Sequence, residues 1–237
     1  VMSFNVENLF TRFDFRRAED LEDYLGLLEG EDQASRLALA KSARLAMDDE
    51  IRTFAALAIR QARPDVALLQ EVESLHALRR FHDKYLLGVG GEAMPHLAVL
   101  EGNDGRGIDV GVMSRLPLEA VTSHKELGLD PLYAAGFDWE DWGIRRATIA
   151  RDRLFSDPRF RVFRRDCLEV RMTVEGRPLT LFNCHFKSIG AGRQQTRAFR
   201  VAEAFAVRYV IERCRARGQT DYLVAGDLND FTETDGV

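Results

Sequence analysis

A chain of 237 residues, 46% of them hydrophobic, is long enough to bury a sizeable core, and with no Pro/Ser/Gly-rich linker or compositional shift a single domain is expected. A net charge of −5 and a pI near 5.6 exclude coating of nucleic acid by the whole surface, while leaving room for an enzyme that handles phosphates in a local pocket. Cys167, Cys184 and Cys214 are an odd number without metal-ligand spacing and read as core thiols, and no apolar run approaches the roughly 20 residues of a membrane span.

The first segment, VMSFNVENLF, is a strand that ends in polar residues. Residues 11–49 are rich in Asp, Glu and Arg and read as an elaboration, with a short helix around Leu21 to Leu28. From Ser42 to Arg63, Ala, Leu, Ile and Phe recur at helical spacing until Pro64 stops the helix. The aliphatic run DVALLQEV is a second strand, ending in Gln70 and Glu71. Ser74 suits the cap of a helix reaching Tyr85, before the turn GVGG. Strands are expected at Leu97 to Leu100 and Ile108 to Ser114, separated by EGNDGRG, which has hairpin-turn composition. Residues 117–159 read as irregular, with Trp139 and Trp142 in an acidic stretch. The segments FRVFRRDCLEVRMTV and RPLTLFNCHF form an antiparallel pair about EGRP. Arg193 to Arg217 is a long helix, and DYLVAGDLND is a last strand. Hairpin and crossover connections together give an α/β class with mixed sheets.

Hydrophobic strands in this chain repeatedly finish in acid, amide or His. In LTLFNCHFKS, alternation puts Asn183 and His185 on one face and Phe182, Cys184 and Phe186 on the other, so one face has the character of core and the other of a site. Asn5, Glu71, and the pair Asp227 and Asn229 end three further strands. Each alone is better explained by a turn or a helix cap. In this order and with these flanks, MSFNVENLF, LLQEVES, FNCHFKS and VAGDLND resemble the endonuclease/exonuclease/phosphatase superfamily, over nearly the whole chain from Ser3 to Asp230 outside 11–49 and 117–159. The fold this implies is a four-layer sandwich, two mixed β-sheets packed face to face with helices on the outside.

The resemblance also implies a chemistry. Phosphoester hydrolysis needs charge neutralised on phosphoryl oxygens, a water aligned opposite the leaving group, and the leaving oxygen stabilised. Mg²⁺ or Mn²⁺ suits this and prefers carboxylate and amide oxygens. By the resemblance Glu71 is the metal ligand with Asn5 close by, Asp227 orients the attacking water, Asn229 holds water or phosphate, and His185 donates to a phosphoryl oxygen. Asp109 matches an acid that orients the residue equivalent to His185, although a turn cap after Gly107 explains it equally. Arg165 in FRRDCLEV matches a phosphate-binding Arg, the alternative being an exposed strand Arg paired with Asp166. Asn183 reads either as a substrate-side amide or as a structural tie between strand ends, and Lys187 as a phosphate contact or a solvated side chain. His76, His82, His96 and His124 lack motif flanks and read as surface.

Within the superfamily, NVENLF, RGIDVGVMSR and HFKS are similar to bacterial, often secreted, nuclease-like members, which implies a nucleic acid substrate. The alternatives are a phosphatase or sphingomyelinase-like lipid phosphodiesterase of the same fold, and a non-catalytic binding module. One departure is that the family's terminal Ser-Asp-His type motif has no counterpart after Asp230. With Val1 already inside a strand, this suggests a piece of a longer protein, of little activity by itself and with any leader upstream of Val1.

Overall fold

The computed structural model describes residues 1–9, 49–157 and 159–231. The helix expected around Leu21 to Leu28 and the first part of the one expected from Ser42 lie outside the described residues. The chain forms two compact units, Val1–Glu101 with Arg106–Pro117, and Gly102–Gly105 with Leu118–Val237.

The first unit is a four-stranded mixed sheet in the order β1 (Met2–Leu9), β2 (Val66–Val72), β4 (Asp109–Ser114), β3 (His96–Leu100). β1 and β2 are parallel, and the other two pairings are antiparallel. The parallel pair needs a crossover, which includes α1 (Asp49–Ala62). Asp49 and Glu50 in the first turn of α1 and Arg60 in the last complement the helix dipole. Its apolar stripe, Ala55, Ala56 and Ile59, shares a core with Ala67, Leu69 and Val72 of β2. β2 is buried on both faces from Val66 to Gln70, which explains its continuous aliphatic run.

Helix α2 (Leu75–Arg80) starts as expected, with Ser74 Oγ accepting the Ala77 N–H at 3.1 Å. It then widens into a π-helix over Phe81–Leu86. Phe81, His82, Tyr85 and Leu86 are all buried there. His82 is therefore not a surface residue: its Nδ1 lies 2.6 Å from Asp83 and its Nε2 accepts the Met94 N–H at 3.0 Å.

The second unit is also a four-stranded mixed sheet, in the order β5 (Ala120–Thr122), β6 (Cys167–Val174), β7 (Arg177–His185), β8 (Tyr222–Asp227). β7 and β8 run parallel, joined by the crossover helix α5 (Arg197–Ala216), while the other pairs are antiparallel. Between residues 117 and 159 the described residues are more ordered than expected, carrying β5, α3 (Asp130–Ala134), a 3₁₀ turn at Glu140–Trp142, and α4 (Arg146–Arg151). Their aromatic residues Phe137, Trp139 and Phe155 share a core with Phe182, Cys184 and Phe186 and with Ala202, Ala206 and Val210 of α5. Trp139 is thus a packing residue, whereas Trp142 is exposed. All three cysteines are buried and free.

EGNDGRG is more than a tight turn, because Gly102–Gly105 belong to the second unit. Asn103 Nδ2 donates to the carbonyls of Lys125 at 2.7 Å and Phe163 at 3.0 Å. Among the described residues no helix is long and apolar enough to cross a membrane.

Candidate functional site

In the first unit the candidate residues gather at one end of the sheet. β1 pairs with β2 in register up to Asn5 opposite Gln70, and the register then shifts on both sides of Glu71. This is a β-bulge, and it places Glu71 at φ 66, with Glu7 and Asn8 at φ 47 and 55 on the neighbouring strand. The left-handed backbone re-aims the Glu71 carboxylate toward β1. Its Oε1 accepts Asn5 Nδ2 at 3.3 Å and its Oε2 accepts the Asn8 N–H at 3.0 Å. Asn5 Oδ1 in turn accepts the Glu7 N–H at 3.0 Å. Asp109 is buried at the start of β4, where it pairs with Val72, the residue after Glu71.

Glu71 is half-buried, and the bonds from Asn5 and Asn8 each occupy one of about two lone-pair sites on a carboxylate oxygen. Among the described residues no group of three or more His, Cys, Asp or Glu side chains is arranged around a metal position. One carboxylate beside one amide nevertheless fits Mg²⁺, which takes one or two carboxylates and retains several waters.

In the second unit the candidates lie where β7 and β8 end. Gly226 explains how these strands come so close: its φ is 142, and a Cβ there would fall 1.9 Å from the Cys184 carbonyl oxygen. His185 is opposite Asp227 in the parallel register, with its Nε2 3.9 Å from Asp227 Oδ2. Asp227 Oδ1 accepts the Asn229 N–H at 2.9 Å, and Asn229, at φ 50, donates from Nδ2 to the Phe186 carbonyl at 3.1 Å. Asn183 is fully buried in mid-sheet, between Leu168 and Ala225 in register. Lys187 is half-buried just beyond β7.

Arg165 is not an exposed strand Arg paired with Asp166. It is 2% exposed, donates from Nη1 to the Phe186 carbonyl at 2.9 Å, and pairs through Nε with Asp104 at 3.0 Å. Asp166 instead accepts the N–H groups of His124 and Cys167. Burial pushes its carboxyl above the ordinary value, against these bonds and one from Ser123. His124 is not simply a surface residue either: its Nε2 is 3.0 Å from the buried Glu169. That bond, against the effect of burial, holds the Glu169 carboxyl below its usual range.

Arg200, Glu203 and Asp230, which sequence reasoning passed over, also tie this region together. Asp230 pairs with Arg193 at 2.8 Å and Arg200 at 3.1 Å. A signal was present in α5, where Arg200 and Glu203 occupy positions in the same 3–4 spacing as the buried Ala206, Val207, Val210 and Cys214. Charged residues on an apolar stripe mark buried polar work.

The profile of the Endonuclease/Exonuclease/phosphatase family matches residues 2–236. A search of curated proteins gave no significant match. Among solved structures, the fold is similar to that of SmcL, with a TM-score of 0.51 and 18% identity over 98% of this chain and 64% of that one. A β-hairpin deletion mutant of beta toxin from Staphylococcus aureus aligns with a TM-score of 0.49 and 14% identity, covering 99% of this chain and 68% of that one. TDP2 from Caenorhabditis elegans, in truncated form, aligns with a TM-score of 0.43 and 14% identity, covering 76% of this chain and 55% of that one. The chain thus spans less than two thirds of the length of SmcL and of this TDP2.

Proposed function

This chain belongs to the endonuclease/exonuclease/phosphatase family, and on that premise we propose that it is a divalent-metal-dependent nuclease, cleaving phosphodiester bonds of DNA or RNA by in-line attack of water. The observation that carries the reading is Glu71. A non-glycine residue in left-handed backbone is costly, and such strain persists where surrounding structure over-determines it, often at sites of function. Here it turns a carboxylate toward Asn5 at the end of a buried strand.

In this reading Glu71 and Asn5 hold Mg²⁺ or Mn²⁺. The bound ion supplies Lewis acidity toward a phosphoryl oxygen and neutralises its charge. Asp227, fixed by the turn to Asn229, orients the attacking water, and His185 donates a hydrogen bond to a phosphoryl oxygen. Arg165, anchored on Phe186 and Asp104, and Lys187 supply positive charge for phosphate. Asn183, wholly buried between β6 and β8, serves as a structural tie between the strands, and Asp109 as an orienting acid. The net charge of −5 favours a second reading, a phosphatase or sphingomyelinase-like lipid phosphodiesterase, since such substrates present less polyanion to repel.

The test is turnover of plasmid DNA, RNA, an inositol phosphate and sphingomyelin in parallel by the full-length protein, with and without Mg²⁺ or Mn²⁺. Cleavage of nucleic acid that needs the metal is expected. It should fall by a factor on the order of 10² or more in Glu71→Ala and in His185→Ala, as when a charge-stabilising group is removed from an active site. It should also weaken steeply with salt, as phosphate binding releases counterions. Turnover of sphingomyelin or inositol phosphate alone selects the second reading. A folded protein that neither binds Mg²⁺ nor turns over any of the four is a non-catalytic module.

A further inference from the structure

Helix α5 begins shortly after the segment that carries His185 and Lys187, and two charged side chains interrupt its buried stripe. Arg200 is 4% exposed and Glu203 is fully buried. Three residues apart on a helix, they share a face. Further along, the helix is packed into the apolar core at Ala206, Val207 and Val210, and a buried charge is costly unless its hydrogen bonds are well made.

What these two side chains hold is specific. Glu203 accepts the Arg164 N–H at 3.2 Å on Oε1 and the Lys187 N–H at 2.8 Å on Oε2. Arg200 donates from Nη1 to the Lys187 carbonyl at 3.4 Å and to Thr196 Oγ1 at 2.6 Å, from Nη2 to the Arg193 carbonyl at 2.8 Å, and from Nε to Asp230 at 3.1 Å. Lys187 is therefore gripped at both its N–H and its carbonyl by one turn of helix. The same turn holds the residue before Arg165 and the residue after Asn229.

We propose that Arg200 and Glu203 are positioning residues, a two-residue clamp that sets the three segments bearing Arg165, His185 with Lys187, and Asp227 with Asn229. The catalytic consequence of the clamp rests on the phosphoester reading above. The chemistry of the clamp suits the task, because a carboxylate accepts two N–H groups at once and a guanidinium donates along three directions in a fixed plane. Burial pushes the Glu203 carboxyl up to about 7, against the N–H bonds of Lys187 and Arg164 and the nearby charges of Arg165 and Arg164.

The test pairs amide hydrogen exchange with kinetics, both at pH 8. Glu203→Gln keeps the size of the side chain but replaces an acceptor with a donor. The Lys187 and Arg164 amides should then exchange about tenfold faster or more, the loss expected of one charge-assisted hydrogen bond, while those of Val170 and Leu181 within β6 and β7 keep their rates. In the phosphodiesterase assay kcat should fall by about tenfold or more with KM little changed, since groups acting in the transition state are displaced rather than removed. Arg200→Lys, which keeps the charge but not the planar fork, should lose nearly as much kcat as Arg200→Gln does. Unchanged exchange at Lys187 and Arg164 overturns the clamp whether or not the protein is active. Faster exchange with an unaltered kcat overturns its catalytic role. A wild-type protein inert toward every phosphoester sinks the phosphoester reading instead, and the clamp then stands or falls on the exchange rates. If Glu203→Gln does not fold, the two Arg200 variants decide, and equal kcat in wild type and Arg200→Gln overturns the proposal.

Discussion

Glu71 combines two demands that conflict in a single residue. Its φ of 66 suits glycine, yet its carboxylate is the group Asn5 and Asn8 hold. Glu71→Gly and Glu71→Ala both remove that carboxylate, but only Gly relaxes the backbone. Glu71→Gly should therefore be more stable than Glu71→Ala by about 1 kcal/mol in urea denaturation, while both lose Mg²⁺ affinity. Equal stabilities would show that the left-handed conformation carries no strain. Asn5, Glu71, His185 and Asp227 stand out as candidates in the sequence because each ends a hydrophobic strand with a group the core does not want. The partners of Arg165 were not legible, since Asp104 lies 61 positions away in a segment that reads as a hairpin turn.

Among the elements, the β7–β8 pair is the one on which the second unit's candidate groups depend. Parallel strands are joined through a crossover but pair directly, and here they approach so closely at Gly226 that even a methyl group would overlap the Cys184 carbonyl. Gly226→Ala should cost roughly 1–3 kcal/mol or more, as overpacking does. It should also disturb the His185 side chain, read as a shift of its imidazole NMR signals larger than that of His76, which is exposed on α2 in the other unit. A variant as stable as wild type would mean that the strands can separate without loss. Strand identity was readable here from hydrophobic runs, and the long helix from its 3–4 spacing. The widening of α2 at Phe81 was not, because a π-helix differs from an α-helix only in bonding i to i+5 and leaves no sequence pattern of its own.

For the whole molecule, the buried carboxylate of Glu203 makes stability depend on pH in an unusual direction. Its folded value is raised from 4.5 to about 7, so the folded state binds a proton more tightly than the unfolded chain. The contribution is fully present below pH 4.5 and is lost as pH rises through about 7, amounting to roughly 3 kcal/mol at most. Gln does not titrate. The stability advantage of wild type over Glu203→Gln should thus be largest below pH 4.5 and shrink steadily toward pH 8, as measured by urea denaturation across that range. An advantage that stays constant would mean that the carboxyl titrates normally. Glu169, held below its usual range by His124, works in the opposite sense: its stabilisation is present above the unfolded value and lost as pH falls through the folded one.

The local code of this chain, hydrophobic runs of strand length ending in Asn, Glu, His and Asp, by itself determined the α/β class, most of the strands, the core thiols and the family. Those features depend on burial and periodicity, which neighbours in sequence express. Only the tertiary structure decided that Glu71 sits on a bulge, that Arg165 is buried against Asp104, that residues 117–159 pack into a core, and that Arg200 and Glu203 hold the strand-end segments. Each of these depends on hydrogen bonds or contacts between residues distant in the chain, and the sequence pattern of either partner alone does not name the other.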